Sequence, residues 1–410
     1  MSDKSVVIVG AGHAGVQAAG RLRELGWHGG VIIIDQESHA PYERPPLSKD
    51  LLKPDAQDDS ALLRKASYFQ DKDITLKPAT SVLQIDRQKR MVALSDGSGL
   101  PYHRLVLATG SSARKLTIPG SELAGVQVLK TKTDALTLKS GLIAGSKVVI
   151  LGAGYIGLEV AAAAAARGCN VTVLEFQDRV MNRVTSSVVS HYFQKLHESH
   201  GIRFAFGSAA SHIEGDGRAE RVFTTDGAMF EADVVLVGIG VVPHQGLAEN
   251  AGLECNDGIL VDENGLTSDP YVYAAGDVTR SICPFEGTSR RLECIQNALS
   301  QADQVASHIL GLEPKKPEVP WFWTIQHGLR LQTAGIQQPE DEVLLRGNPA
   351  DGRFSVLYLR SGRLAAIDTV GGLADFLPGK KLIAAGVELD RTLAADPGAG
   401  LAQSARPVAA

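Results

Sequence analysis

The chain has 410 residues, which predicts two or three domains at roughly 150 residues per domain. Hydrophobic residues make up 44% and charged residues 21%, a composition typical of globular proteins and not of disordered chains. Acidic residues (46) outnumber basic residues (41), and the net charge of -5 argues against a general nucleic-acid-binding protein.

The cysteines and the apolar tracts exclude several further classes. Four cysteines lie at positions 169, 255, 283 and 294, without C-x-x-C spacing or histidines at zinc-ligand spacing. A disulfide framework, a zinc site and an internal redox dithiol are therefore not expected. The longest candidate for a membrane span, Ala161–Ala166, is far below the roughly 20 residues required. Val6–Val9 begins so close to the first residue that no room is left for a signal peptide, and we expect a cytoplasmic protein.

The chain opens with an apolar run and a glycine-rich turn. Val6–Val9 is predicted to be a buried parallel strand, and Gly10–Gly15 follows it with the spacing G-x-G-x-x-G. A helical stretch, Val16–Leu25, and a second strand, Val31–Ile34, come next, and the strand ends at Asp35. Such glycines let the backbone approach a pyrophosphate, and the acid can accept hydrogen bonds from ribose hydroxyls. These residues predict a dinucleotide-binding unit.

The same pattern occurs a second time. The strand at Lys147–Leu151 leads into Gly152–Gly157, and the helix that follows contains the alanine tract. The next strand, Val171–Glu175, again ends in an acid. Two complete units predict two bound dinucleotides with electron transfer between them; the alternative is a duplicated fold with one inactive site.

The acid of the second unit favours NAD over NADP. A carboxylate at Glu175 accepts hydrogen bonds from a free 2′-hydroxyl and repels a 2′-phosphate. Arg179 and Arg183 follow closely and would weaken this preference if they reached the phosphate.

Further motifs are more discriminating than the two turns. They are Glu43–Lys49 (Glu-Arg-Pro-Pro-Leu-Ser-Lys), Leu107–Gly110, Val237–Gly240, Tyr273–Asp277, Leu292–Ala298 and Val319–Trp323 (Val-Pro-Trp-Phe-Trp). With these motifs, nearly the whole chain resembles the FAD-dependent NADH reductases of ferredoxins and rubredoxins, a family that includes putidaredoxin reductase and the reductases of biphenyl-type dioxygenases.

The resemblance implies an α/β fold with two interleaved Rossmann-like dinucleotide-binding domains, as in glutathione reductase, and a small C-terminal α+β domain. The turn-rich stretches at 110–120 and 240–243 mark the crossings between the domains. The expected domains are an FAD domain (1–111 and 242–318), an NAD domain (112–241) and a C-terminal domain (319–393), with a disordered tail (394–410) that is rich in Ala, Gly, Pro and Ser.

The C-terminal domain is expected to consist of short strands and one helix. The predicted strands are Leu329–Ile336, Val343–Arg346, Phe354–Leu359 and Leu364–Thr369, and the predicted helix is Leu373–Ala385.

The resemblance also assigns the cofactors. FAD is expected in the first unit and NADH in the second, with Asp277 beside the ribityl chain and the backbone N–H of Ile295 facing the flavin. Arg44 and Lys49 would flank the FAD; without the resemblance, both would be interpreted as solvated loop charges. The candidate cofactor-binding residues are Gly10, Gly12, Ala14, Gly15, Asp35, Arg44, Lys49, Val82, Ala108, Thr109, Gly110, Lys130, Gly152, Gly154, Tyr155, Ile156, Gly157, Glu159, Glu175, Arg183, Gly240, Asp277, Ile295 and Trp321.

Lys49 and Glu159 are the candidate catalytic residues. The resemblance implies that they form a pair that positions the nicotinamide and does not transfer a proton. The alternative for Glu159 is an acid on the first turn of its helix that interacts only with the helix dipole. No metal ligands are expected.

The expected activity is an NADH:ferredoxin reductase that supplies an oxygenase, acting as a monomer or weak homodimer and binding neither nucleic acid nor membrane. Rival hypotheses are an NADH oxidase or small-acceptor reductase, which a cysteine-free loop at 36–49 disfavours, and a redox-sensing protein like apoptosis-inducing factor.

Basic residues at Arg290 and Arg291 are expected to attract an acidic ferredoxin, together with Lys315, Lys316 and Arg330. Thr324-Ile325 replaces the Ser-Asp common in relatives, which leaves the choice of partner open.

Overall fold

The computed structural model describes residues 4–56, 61–372 and 374–406. Two compact units share the chain, and each is assembled from three segments. The first unit consists of Met1–Arg44, Asp59–Ser112 and Val241–Pro320, and the second of Pro45–Asp58, Ala113–Gly240 and Trp321–Ala410. The chain thus crosses between units close to 112 and 241, where turn-rich stretches occur, and the C-terminal segment belongs to the same unit as 113–240.

Helices and strands alternate through most of the described chain. The α-helices are α1 His13–Glu24, α2 Ala66–Asp71, α3 Lys132–Gly141, α4 Tyr155–Ala166, α5 Ser187–Ser199, α6 Gly246–Asn250, α7 Ile295–Ile309, α8 Phe376–Ala385 and α9 Arg391–Ala395. Short 3-10 helices lie at Pro45–Ser48, Asp50–Leu52, Pro349–Asp351 and Leu401–Ser404.

The strands of the described residues are β1 Ser5–Val9, β2 Gly30–Ile34, β3 Thr75–Lys77, β4 Val82–Asp86, β5 Met91–Leu94, β6 Gly99–Pro101, β7 Arg104–Leu107, β8 Ser111–Ala113, β9 Val126–Gln127, β10 Lys147–Leu151, β11 Asn170–Glu175, β12 Arg203–Phe206, β13 Ala210–Glu214, β14 Arg221–Thr224, β15 Met229–Glu231, β16 Val234–Val237, β17 Val241–Pro243, β18 Ile259–Leu260, β19 Val272–Ala274, β20 Thr279–Ile282, β21 Ser289–Arg290, β22 Trp321–Gln326, β23 Leu329–Gly335, β24 Glu342–Asn348, β25 Arg353–Arg360 and β26 Arg363–Val370.

A parallel sheet with the order β19-β7-β1-β2-β3 forms the centre of the first unit. Alternate residues of β1 face opposite layers: Val6 and Ile8 pack with α1 and α7, whereas Val7 and Val9 pack with the antiparallel strands β4 and β5. Because both faces are covered, β1 is an almost continuous apolar run, as expected for a buried parallel strand. The carboxyl end of β1, where the first glycine turn begins, is thereby fixed by the core.

The second unit repeats this design with the order β12-β11-β10-β16-β9. On one face of its sheet, Val149 and Leu151 pack with residues of the antiparallel strands β13 and β14. The predicted α/β fold class is confirmed, and helix α1 begins three residues earlier than the sequence pattern indicated, directly after Gly12.

The second unit also contains an antiparallel sheet with the order β22-β23-β26-β25-β24. The four strands predicted for this region are present, each with its ends within about two residues of the expected position. The aromatic stretch at Trp321 adds a fifth strand at the edge. Helix α8 ends at Ala385 as predicted, whereas Leu373, at the predicted start of the helix, lies outside the described residues.

The prediction of a disordered tail is wrong for residues 394–406. Helix α9 and a 3-10 helix lie there, and Leu401 and Ser404 are buried. The reason is Arg346, which is buried and pairs with Asp375 at 2.9 Å. Its guanidinium also donates hydrogen bonds to backbone carbonyls of the tail, at 3.2 Å for Ala394. A long-range anchor therefore orders a segment whose own composition favours disorder; residues 407–410 lie outside the described residues.

Two further findings concern the cysteines and the helices. All four cysteines are free thiols. Among the residues that the structure describes, no helix is both long and apolar enough to cross a bilayer.

Replacing Arg346 with Ala is expected to release the tail. The change leaves the partly buried carboxylate of Asp375 without its cation and the tail carbonyls without their donors, and such a loss typically costs about 1–3 kcal/mol. Hydrogen exchange followed by mass spectrometry should show lost protection at 391–404. The matched control is Arg391→Ala, because Arg391 forms an exposed pair with Glu342 that is worth at most about 1 kcal/mol. Equal protection of the tail in both variants would contradict the role assigned to Arg346.

Candidate functional site

Two glycines of the first turn are required by the chain itself. Gly10 has a φ of +109°, and a Cβ there would lie 2.2 Å from the carbonyl oxygen of Ala108. A Cβ on Gly15 would lie 1.9 Å from the carbonyl oxygen of Gly10. Neither position admits a side chain, because strand, turn and helix pack against each other at backbone distance. The two glycines thus bring the start of α1 directly over the end of β1.

Gly12 has a different reason for being glycine. A Cβ at Gly12 would meet nothing within 4 Å, so the space beside it is open. The first backbone bond of α1 runs from Val16 N–H to the Gly12 carbonyl at 3.0 Å. The preceding amides of the first turn have no carbonyl in the helix to bond and point out of its N-terminal end. An open cradle lined by such amides fits a pyrophosphate.

Asp35 lies beside this cradle at the end of β2. Its Oδ2 accepts a hydrogen bond from Ala11 N–H at 3.2 Å, and its Oδ1 accepts one from Glu37 N–H at 3.3 Å. Burial raises the pKa of Asp35 above the ordinary value. The backbone bonds fix the orientation of the carboxyl group, and its remaining lone pairs fit ribose hydroxyls.

Arg44 is anchored and is not a free loop charge. Its guanidinium bonds Glu37 at 2.7 Å and the Tyr42 hydroxyl at 2.5 Å, and it stacks on the Tyr42 ring at 4.4 Å. Nearby His13, inside the glycine turn, was not singled out from the sequence. Burial and, to a smaller extent, Arg44 lower the pKa of His13 to about 4, so the ring is neutral at neutral pH. A histidine within the G-x-G-x-x-G spacing was the available signal.

The second turn has the same construction. Gly152 has a φ of +104° and lies against the Gly238 carbonyl, and a Cβ on Gly157 would lie 2.2 Å from the Gly152 carbonyl oxygen. Gly154 is open, with nothing within 4 Å of a Cβ. Glu175 Oε2 accepts a hydrogen bond from Ala153 N–H at 2.7 Å, as Asp35 does from Ala11 in the first unit. This turn therefore also fits a dinucleotide.

The two arginines after Glu175 differ in their surroundings. Arg179 donates to the backbone carbonyls of Asn182 and Thr185, each at 2.9 Å, and to the Ser190 hydroxyl. These bonds hold Arg179 within its own loop. Arg183 is exposed.

Lys49 and Glu159 form a close ion pair. Lys49 Nζ lies 2.5 Å from Glu159 Oε2, and the side chain of Glu159 is only 3% exposed. Ser48 Oγ donates to the same oxygen at 2.5 Å, and Thr324 Oγ1 donates to Glu159 Oε1 at 2.6 Å. Glu159 is the fifth residue of α4 and so lies on the second helical turn, whereas the sequence pattern predicted the first turn. A dipole interaction alone does not describe it, because three side chains from other segments bind its carboxylate.

Neither Ser48 nor Thr324 was predicted from the sequence to bind Glu159. Ser48 lies inside the distinctive stretch Glu43–Lys49, and Thr324 directly follows Val319–Trp323. Thr324 was noted only as a departure from relatives that bears on the choice of partner, so the position of both residues in or beside these stretches was the available signal.

Other predicted residues of the first unit surround the ends of its strands. Ala108, Thr109 and Gly110 follow β7, and Thr109 Oγ1 donates to the His244 carbonyl at 2.9 Å. Asp277 Oδ2 accepts from the Ser111 hydroxyl at 3.3 Å. Val82 and Ile295 are the first residues of β4 and α7.

The remaining predicted residues belong to the second unit. Tyr155 begins α4, and its ring centroid lies 4.6 Å from that of Phe322. Ile156, the next residue, is 41% exposed. Trp321 begins β22, and Gly240 has a φ of +108°. The backbone N–H of Lys130 donates to Asp134 Oδ2 at 3.0 Å.

The basic surface expected at Arg290 and Arg291 is not present as predicted. Arg290 pairs with Glu286 at 2.6 Å, and Arg291 pairs with Glu293 at 2.5 Å and with Asp257 at 3.3 Å. Glu286 and Glu293 are near neighbours in sequence and Asp257 lies 34 positions away, and the charges of these acids offset those of the arginines. Attraction of an acidic partner cannot rest on Arg290 and Arg291 alone.

Comparisons with known proteins find similarity to reductases over nearly the whole chain. The profile of the pyridine nucleotide-disulphide oxidoreductase family matches residues 4–302, and that of the reductase C-terminal domain matches residues 321–405. A ferredoxin--NAD(P)(+) reductase from a Sphingomonas species is 42% identical, over 93% of this chain and 92% of its own. Rhodocoxin reductase from Rhodococcus erythropolis is 41% identical, over 96% and 92%. The crystal structure of a covalent putidaredoxin reductase–putidaredoxin complex matches with a TM-score of 0.95 at 36% identity, covering 98% of each chain.

Proposed function

Because the chain belongs to the pyridine nucleotide-disulphide oxidoreductase family, we propose that it is an FAD-dependent NADH:ferredoxin reductase. The observation that carries this proposal is the duplicated open glycine turn, each copy with a carboxylate fixed beside it. Relatives of nearly the same length are ferredoxin and rhodocoxin reductases, which supports an iron–sulfur protein as the electron acceptor.

The first turn is assigned to FAD and the second to NADH. FAD held at the first turn would supply the chemistry that converts the two-electron donor NADH into a source of single electrons. One NADH thus reduces two ferredoxin molecules and leaves NAD and one proton. The chain's own contribution is to bind the two dinucleotides through Gly12 and Gly154 and to orient their riboses through Asp35 and Glu175.

The Lys49–Glu159 pair is assigned to orienting the nicotinamide. An ammonium group has three N–H donors, and two of those of Lys49 are directed at Glu159 and at the Pro45 carbonyl, the latter at 3.3 Å. The third fits a carbonyl oxygen such as that of a carboxamide. Because Glu159 holds the ammonium in a fixed place, the donor is already oriented before the ligand arrives.

The free thiols and the use of NADH support a location in the cytoplasm, where thiols stay reduced.

The choice of acceptor is tested by comparing turnover of NADH with ferricyanide, with oxygen and with several two-iron ferredoxins. We expect rapid reduction of ferricyanide and of at least one ferredoxin, and slow consumption of oxygen. Residues 36–49 contain no cysteine that could carry a redox group. Oxygen consumption as fast as the best ferredoxin rate would favour an NADH oxidase instead.

Single substitutions in the two turns should separate the two binding sites. Gly12→Val places a side chain in the first cradle, and Gly154→Val places one in the second, and neither Cβ meets the folded chain. The Gly12 variant should be purified with little flavin. The Gly154 variant should keep its flavin and show a raised KM for NADH. Absorption spectra, acid release of the flavin and NADH kinetics measure both effects.

Wild-type protein should release all its flavin on acid precipitation, because no attachment motif is present.

Equal flavin content in the Gly12 and Gly154 variants would contradict the assignment of the two sites.

The wild-type enzyme should prefer NADH to NADPH by at least roughly tenfold in kcat/KM, or about 1.4 kcal/mol. Glu175→Gln should reduce this preference, because an amide does not repel a 2′-phosphate. The matched control is Asp178→Asn, which removes the same charge from an exposed position in the following loop. Similar efficiency with both nucleotides in the wild type would contradict the role of Glu175 and indicate Arg183 as a phosphate-binding residue.

A further inference from the structure

A line of hydrogen bonds leads from the histidines of the second unit to the candidate catalytic pair. His327 Nε2 lies 3.1 Å from His197 Nδ1, and His197 Nε2 lies 2.8 Å from Gln326 Oε1. Gln326 Nε2 then donates to Thr324 Oγ1 at 3.2 Å, and Thr324 Oγ1 donates to Glu159 Oε1 at 2.6 Å. We call these five residues the Glu159 relay.

The relay has one consistent direction. The amide nitrogen of Gln326 donates to Thr324, so the hydroxyl proton of Thr324 is left for the carboxylate of Glu159. The amide oxygen of Gln326 must then accept from His197, which requires the proton of that ring on Nε2. Burial lowers the pKa of His197 to about 4, so the ring is neutral at neutral pH and has one such proton. Each residue of the relay can therefore form its hydrogen bond to the next one with no change of conformation.

Strand β22 explains why two relay members lie together. Side chains two apart on a strand lie on the same face, and Thr324 and Gln326 are both 0% exposed. His197, on α5, is also 0% exposed. Water does not compete for these groups, so each hydrogen bond contributes to holding the arrangement.

We propose that Thr324 and Gln326 are positioning residues for NADH oxidation, which act by fixing the carboxylate of Glu159. The proposal rests on the function proposed above. Lys49 and Ser48 both bind Oε2, so they alone leave the carboxylate free to turn about its last bond. The bond from Thr324 to Oε1 removes this freedom. A fixed carboxylate in turn fixes the ammonium of Lys49, and small displacements of such groups have large effects on rate.

The test compares Thr324→Val, which keeps the shape of the side chain but has no donor, with Thr324→Ser, which keeps the hydroxyl. Thr369→Val is the matched control, since Thr369 is buried in the same sheet and its hydroxyl donates to the Gln332 carbonyl at 3.4 Å and not to Glu159. Stopped-flow spectrophotometry of the flavin-loaded enzyme measures reduction by NADH and, separately, reoxidation by ferredoxin or ferricyanide.

Thr324→Val should slow the limiting rate of flavin reduction roughly tenfold, with a smaller change in the apparent Kd for NADH and an unchanged reoxidation rate. Thr324→Ser and Thr369→Val should stay close to wild type. Gln326→Leu should slow the same step, and less strongly, because it removes only the group that orients the hydroxyl. If Thr324→Val acted only by disturbing the fold, the reoxidation rate and the amount of bound flavin would also fall.

Wild-type reduction rates in either Thr324→Val or Gln326→Leu would overturn the proposal, as would equal slowing of reduction and reoxidation. Failure of the proposed function is a different result. In that case the wild-type enzyme itself would not oxidise NADH with ferricyanide or any ferredoxin.

Discussion

The buried carboxylate of Glu159 is the constraint that organises the second unit. A charge removed from water must be matched by donors, or the structure loses several kcal/mol. Lys49, Ser48 and Thr324 supply these donors from two distant segments, the loop after β2 and the edge strand β22. One side chain on α4 thus ties three parts of the chain into one unit and leaves an ammonium group in a defined place. The donors that stabilise the buried carboxylate are therefore the same groups that the proposed function uses to orient the nicotinamide.

The glycines of the two turns divide into two kinds with different physical origins. Gly10 and Gly15, like Gly152 and Gly157, are fixed by contacts within the chain, so any side chain there conflicts with the fold. Gly12 and Gly154 have no such conflict. The packing of the protein therefore does not require glycine at these two positions, whereas the proposed binding of two dinucleotides does. Under the proposed function, the duplicated motif combines a requirement of folding with a requirement of binding.

Local patterns predicted much of the fold and part of the site. The strand, turn and helix from Ser5 to Glu24 depend on neighbouring residues, so their bounds were predicted to within about three residues. The partners of Glu159 were harder, since Lys49 and Thr324 lie 110 and 165 positions away and only the family resemblance suggested the first. The same limit explains the ion pair of Arg291 with Asp257 and the ordered tail, because both depend on contacts between distant segments.

The anchoring of the tail by Arg346 bears on how a partner could be tethered to this chain. The chain is ordered at least as far as residue 406, so a fusion joined at the C-terminus gains no free chain between 394 and 406, although the composition suggested it. The linker alone then sets the reach and the effective concentration of the attached protein. In the design of a self-sufficient electron-transfer chain, the tail should therefore be counted as part of the folded reductase. The added linker should be long enough by itself to cover the distance to the attached protein.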